Sequence, residues 1–222
     1  MLLQIPSVLT AAELESLRTT LALAAFEDGA ATAGHVARQV KRNLQVPQNS
    51  EAGRKCAAVV VDALRRNALF YSAVLPQSFH GPLFNRYDGE MTYGDHVDNA
   101  IMNNGKLRSD VAATLFLSAP EEYDGGELLV QDSYGAHSIK LAAGNMIVYP
   151  AGSVHRVQPV KRGKRLAAIL WIQSLVRDEV QRRLLFELDV SLTSLRKSGV
   201  EESQLSRLTS VYHNLMRMWA KT

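Results

Sequence analysis

Apolar positions recur with two different periods along this 222-residue chain, and the changes of period mark its organisation. Near the start, Leu14, Leu17 and Leu21 step by three and four behind Thr10-Ala11-Ala12-Glu13, a capping-box signal, and predict a helix. A loop-like segment follows from Gly34 to Asn49, and a second helix is expected from about Glu51 to Phe70. The middle of the chain then shortens its apolar runs and favours β structure. Pro82 to Tyr87, Val111 to Leu117, Glu127 to Gln131, Ser138 to Leu141, Met146 to Tyr149, Val154 to Val160 and Leu166 to Ser174 read as strands. Asp88-Gly89, Asp124-Gly125-Gly126, Ala143-Gly144-Asn145 and Arg162-Gly163 separate them as turns. Strands at such close intervals suggest an antiparallel sandwich or jelly roll.

From about Val176 the helical period returns. Leu185, Leu188, Leu192 and Leu195 form one stripe, with Gly199 placed as a C′ glycine, and Leu205, Leu208, Tyr212, Leu215 and Trp219 form another. The two stripes predict a helical hairpin, amphipathic on both arms. It covers the chain's own sheet or makes a homodimer through its C-terminal helices. The expected division is therefore 1–175, helices plus a β core, and 176–222, the hairpin.

Composition narrows the function classes. A chain with 46% hydrophobic residues can bury one large core. Lys plus Arg exceed Asp plus Glu by only three, and the charges are dispersed, so no nucleic-acid partner is expected. No apolar run approaches the roughly 18 residues that cross a membrane, and no membrane association is expected. The opening residues lack a basic n-region and reach Pro6 early, unlike a signal peptide. A single cysteine, Cys56, suits a reducing, cytoplasmic location and reads as buried filler.

Candidate chemistry lies in the strands. His96 and Asp98, at i and i+2 of an extended stretch, can reach one ion while Val97 packs behind them. His155, on another strand, can complete a face of two imidazoles and one carboxylate. That set suits Fe(II), leaving positions open for ligands, although zinc fits the ligand types too. With six His and ten Asp, His-x-Asp alone arises by chance about a quarter of the time, so it is weak by itself. Arg165 adds more. Strand parity sets it on the face of Ala167, Ile169 and Trp171, where a guanidinium needs an anion, and its planar fork matches a carboxylate. The plainer reading makes it one of the surface cluster Lys161-Arg162-Gly163-Lys164-Arg165.

Taken jointly, Tyr87 through Asn99, Asp124 through Leu128, His155-Arg156-Val157, Arg165 and Trp171 through Ser174 resemble the Fe(II)/2-oxoglutarate dioxygenases of the prolyl-hydroxylase superfamily. The narrower resemblance, over nearly the whole chain, is to the bacterial PKHD-type hydroxylases. It implies an α+β fold: a double-stranded β-helix (cupin-like jelly roll) core carrying the N-terminal helices and the C-terminal hairpin. It implies iron ligands at His96, Asp98 and His155, and Arg165 on the distal C5 carboxylate of 2-oxoglutarate. O2 would be the other co-substrate and L-ascorbate a reductant. Tyr87, Tyr93 and Thr114 are further candidates for touching the co-substrate. The superfamily often places a supporting tyrosine on the strand around Leu115-Phe116, and this chain has none there. The prime substrate would be a small molecule or a peptidyl residue, and bacterial members suggest a link to iron homeostasis.

Asn99 to Ser109 is a candidate lid, and Gly125-Gly126 a tight turn or bulge. His35, His80, His137 and His213 read as surface or satisfied histidines. The alternative function is a non-enzymatic cupin-like sensor or interaction module, which has no use for a buried carboxylate receptor at Arg165. A metal hydrolase would need an acid/base carboxylate, and Glu127 is the sole, poor candidate.

Overall fold

The computed structural model describes residues 1–32, 34 and 37–221. Helix α1 (Ala11–Leu23) begins where expected. Thr10 Oγ1 accepts from the Glu13 N–H at 3.3 Å and Glu13 Oε2 accepts from the Thr10 N–H at 2.9 Å. The helix expected from Glu51 to Phe70 is two helices, α2 (Glu51–Arg65) and α3 (Ala68–Val74). Asn67 breaks it: its side-chain oxygen accepts from the Phe70 N–H and caps a new helix in place of continuing the old one.

The β core is two antiparallel sheets. The larger runs in the order Leu3–Ile5, Met146–Pro150, Val111–Phe116, Arg165–Ser174, Pro76–Tyr87, Leu44–Gln45 and Glu27–Asp28. The smaller runs Gly135–Ile139, Leu128–Asp132, His155–Val157, Thr92–His96 and Lys41–Arg42. The expected loop from Gly34 to Asn49 thus contributes a short strand to each sheet, Lys41–Arg42 at the edge of the smaller and Leu44–Gln45 next to the edge of the larger. Val154 to Val160 is not one strand but two, His155–Val157 and Val160–Gly163, interrupted at Pro159, whose carbonyl accepts from the Gly126 N–H.

Strand Val111–Phe116 is buried at every position because both its faces are covered. Ala113 and Leu115 join a core shared with α1, α2 and α3, whereas Ala112 and Phe116 face the smaller sheet together with Tyr87, Leu128, Tyr149 and Val157. The same split separates Ala168, Leu170 and Ile172 from Ala167 on strand Arg165–Ser174. The product is an α+β jelly roll with N-terminal helices on one sheet and a chemical interior between the sheets.

The C-terminal hairpin forms from α4 (Glu179–Lys197) and α5 (Glu202–Trp219), with Gly199 in the left-handed region at φ 72° as a C′ residue should be. It rests chiefly on α3 rather than on a sheet face. Leu75, Val176 and Leu185 bury together beside Tyr212, Leu215 and Trp219, and Ser72 Oγ donates to Asp189 at 2.6 Å. No helix among the described residues is long and apolar enough to cross a membrane.

Candidate metal centre and its cavity

His155 and His96 lie opposite one another on neighbouring antiparallel strands, so the fold itself pairs them across the smaller sheet. Strand Thr92–His96 ends at His96, and Asp98 follows on extended chain just past it, not within the strand. One ligand atom from each of the three residues lies within 4.8 Å of the other two. His155 Nε2 is 3.9 Å from Asp98 Oδ1, and both side chains are 6% exposed. Val97 does not pack behind them: it is 45% exposed and lines the cavity wall, because the chain has left the sheet.

Both imidazoles are oriented by backbone. Gly94 O accepts from His96 Nδ1 at 2.8 Å and Ser153 O from His155 Nδ1 at 3.0 Å. A carbonyl can only accept, so Nδ1 carries the proton and the Nε2 lone pair is left for an ion. Burial pushes the His96 imidazole down to about 3, helped by His155 nearby. Burial also pushes the Asp98 carboxyl up, while His155 pulls it down, and its Oδ2 has no hydrogen-bond partner. Two imidazoles that present Nε2, beside a carboxylate with an unpartnered oxygen, are a set that a divalent cation completes.

Arg165 opens its strand opposite Tyr87 and is 1% exposed, so it belongs to the interior and not to the basic surface cluster. Its guanidinium lies 5.3 Å from the ring centroids of both Tyr87 and Phe116, and Nε, Nη1 and Nη2 all lack hydrogen-bond partners. An unpaired buried cation is costly, and none of the described residues makes an ion pair with it. Gly126 makes room for it. At φ 69°, a Cβ there would meet Val160 Cγ2 at 2.8 Å and Arg165 Cδ at 3.1 Å. The expected backbone role of Gly125-Gly126 holds, with a register shift at Asp124/Gly125.

The triad and Arg165 open into one cavity of about 500 Å³. Of the further co-substrate candidates, Tyr87 packs beside Arg165, and burial pushes its phenol up to about 12. Tyr93 stacks on His96 at 3.5 Å between centroids. Thr114 is 1% exposed and lies beside Tyr149 on the neighbouring strand. Tyr149 is a residue the sequence reading missed: it is buried against His155, rings 5.1 Å apart, and supplies a phenol that the Leu115-Phe116 strand lacks. Lys41 and Gln45 were missed as well. Their signal was Lys-x-Asn-x-Gln, three polar residues alternating along a segment that reads as loop until its partner strands are known.

Segment Asn99 to Ser109 holds a small hairpin, Ile101–Met102 against Leu107–Arg108, whose tip, Asn103 to Gly105, lines the cavity mouth. Its base is tied down. Arg108 Nε and Nη2 donate to Asp110 at 2.6 and 2.8 Å, the Arg108 N–H donates to Gln173 Oε1 at 2.8 Å, and Asp110 Oδ2 accepts from the Ser174 N–H at 2.9 Å. His80 is not merely a surface residue: it faces the cavity, 5.7 Å from the Trp171 ring centroid. His137 bonds Asp132 at 2.8 Å and His213 is exposed, whereas His35 lies outside the described residues. Glu127 is absent from the cavity lining and sits 3.9 Å from Lys140, which removes it as an acid/base candidate.

Residues 82–173, which span the triad and Arg165, match the 2OG-Fe(II) oxygenase superfamily, and residues 179–221 match the PKHD-type hydroxylase C-terminal domain. The fold is shared with a Pseudomonas putida prolyl-4-hydroxylase (21% identity, TM-score 0.52, 78% of this chain and 92% of that one). It is shared too with a Trichoplax adhaerens prolyl hydroxylase solved with a hypoxia-inducible-factor peptide (16% identity, TM-score 0.54, 82% and 86% covered). The protein is thus an oxidoreductase of the Fe(II)/2-oxoglutarate oxygenase class. A PKHD-type hydroxylase of Xanthomonas campestris pv. campestris is 51% identical over 226 residues, 99% of each chain. This chain belongs to the PKHD-type hydroxylases.

Proposed function

We propose that His96, Asp98 and His155 hold Fe(II), that Arg165 binds the C5 carboxylate of 2-oxoglutarate, and that the enzyme hydroxylates a C–H bond of a small-molecule or peptidyl substrate. The observation that carries this reading is Arg165: a buried guanidinium without a counter-ion, opening on the same cavity as the three metal-type ligands. A metal-binding sensor has no need of that group.

Iron and 2-oxoglutarate, held by the three ligands and Arg165, would supply the oxidising power, with O2 consumed, 2-oxoglutarate converted to succinate and CO2, and one oxygen atom delivered to the substrate as hydroxyl. The protein's own part is positioning. The Gly94 and Ser153 carbonyls fix both imidazoles, Tyr93 holds the His96 ring flat, and Arg165 between Tyr87 and Phe116 fixes the far end of the diacid. The aromatic walls keep bulk water from the reacting face. L-ascorbate would serve as the reductant for iron held there. A peptidyl substrate has a parallel in the peptide bound by the Trichoplax enzyme. Cytoplasmic location and a part in iron homeostasis complete the reading. The exposed Val180, Leu184 and Val211 of the 176–222 hairpin would serve a homodimer.

The test is anaerobic addition of Fe(II) and 2-oxoglutarate to the purified chain. A visible charge-transfer band should form, and succinate should appear when oxygen is admitted; absence of both sinks the proposal. Gly126→Ala probes the slot beneath Arg165. The added methyl meets three side chains at a left-handed φ, so stability should fall by about 1–2 kcal/mol in urea unfolding. The Kd for 2-oxoglutarate should rise about tenfold, because the guanidinium is pushed from its seat.

A further inference from the structure

Lys41, Asn43 and Gln45 are 8%, 3% and 5% exposed, while the intervening Arg42 is exposed and Leu44 half-buried. An ordinary edge segment turns its polar residues to water; this one turns them inward, and Lys41 and Gln45 line the cavity. Lys41 Nζ donates to Thr32 Oγ1 at 2.9 Å, and Thr32 Oγ1 shares its one proton between Gln45 Oε1 at 2.7 Å and Gly29 O at 2.9 Å. That relay uses the amide oxygen of Gln45 and leaves its Nε2 buried and without a partner. Lys41 makes no ion pair among the described residues, so two of its three N–H donors stay uncommitted. Of Lys41, Asn43 and Gln45, only Lys41 and Gln45 line the cavity, and their unmatched groups are donors, one of them cationic; the unmatched acceptor, Asn43 Oδ1, belongs to a residue outside the lining.

Gln45 lies in the larger sheet, two strands from that of Arg165, and Lys41 lies in the other sheet. Lys41 belongs to the edge of the smaller sheet and pairs with Tyr93, with Nζ 5.4 Å from that ring's centroid, and Tyr93 in turn stacks on His96. Arg165 belongs to the larger sheet, between Tyr87 and Phe116. A cavity of about 500 Å³ has room for a second molecule beside a diacid held between the metal-type ligands and Arg165.

We propose that Lys41 and Gln45 form the recognition subsite for a carboxylate on the prime substrate, which accepts from Lys41 Nζ and Gln45 Nε2 and so fixes which C–H bond faces the metal. This rests on the oxygenase reading above and narrows the substrate to a carboxylic acid, such as a free amino acid derivative or the end of a peptide. A buried ammonium that feels Asp28 and Asp98 only at a distance and makes no ion pair among the described residues selects an anion over a neutral amide, since only the anion offsets its lost hydration. Burial pushes the Lys41 ammonium down to about 8, which leaves it mostly charged at neutral pH.

The experiment uses the full chain loaded anaerobically with Fe(II) and saturating 2-oxoglutarate, titrated calorimetrically with N-acetylglycine and with its neutral counterpart N-acetylglycinamide. The wild type should bind the acid at least about tenfold more tightly than the amide. Lys41→Met should erase that preference. Gln45→Glu should erase it as well, by giving Lys41 an internal carboxylate, and serves as the second variant should Lys41→Met fail to fold. Both variants should keep the 2-oxoglutarate Kd within about twofold of wild type. Equal affinities for acid and amide, no binding of the acid, or a preference surviving in a folded variant overturns the subsite. So does a variant that weakens 2-oxoglutarate instead, which would assign Lys41 to the co-substrate. The wild-type charge-transfer band is read first in the same cell. Its absence removes the oxygenase chemistry, whereas a normal band with indifferent acid binding removes this subsite alone.

Discussion

Replacing His155 with alanine is expected to abolish iron retention and succinate formation together. The residue is 5% exposed, is fixed by Ser153 O and faces His96 across the strand pair, so no neighbouring group can swing into its place. Tyr149, the ring against its flank, offers a phenol whose proton burial holds firmly, not a ready ligand. Two remaining ligands, one of them a carboxylate already half-satisfied at best, leave a site that loses far more than the roughly 10–100-fold effect of disturbing an outer-shell partner. Equilibrium dialysis against Fe(II) without oxygen measures it directly. Wild-type iron affinity in a folded His155→Ala protein would remove this histidine from the centre.

Arg165→Met separates the co-substrate from the metal. Truncating one side of a buried, hydrogen-bonded charge pair costs about 3 kcal/mol, so the 2-oxoglutarate Kd should rise roughly a hundredfold. Fe(II) affinity should stay within about twofold, because Arg165 contacts none of the three ligands. Stability should move the other way. The ligand-free protein carries a guanidinium with no partner on any nitrogen, and methionine fills a similar slot between Tyr87 and Phe116 without a charge to dehydrate. The melting temperature should hold or rise by a few degrees, at about 2–4 °C per kcal/mol for a chain of this size. A variant that binds 2-oxoglutarate normally contradicts the role given to this residue.

Period and punctuation made the β core readable because its strands alternate around buried faces and its turns are rich in glycine. Arg165 was legible for the same reason: counting by twos from Trp171 placed it inward. What stayed hidden depended on contacts distant in sequence. Helix α2 and helix α3 share one apolar pattern, and only the cap formed by Asn67 divides them. Val97 looked like an inner residue because the strand was assumed to continue through Asp98, whereas the ladder stops at His96. Lys41 and Gln45 sit in two-residue strands that exist only through pairing with Thr92–His96 and Pro76–Tyr87, so no local pattern announces them. Tyr149 was hidden too, because its place against His155 depends on a strand pairing that its own short apolar run does not announce.

The tethering of the mouth hairpin by Arg108, Asp110 and Gln173 confines movement to its outer end. Asn103, Asn104 and Gly105, all with positive φ, can therefore be exchanged for other turn sequences without loosening the ironwork beneath. Selectivity at the entrance and reactivity at the floor become separately adjustable parts, and relatives could diversify what they admit while inheriting the same combustion chamber.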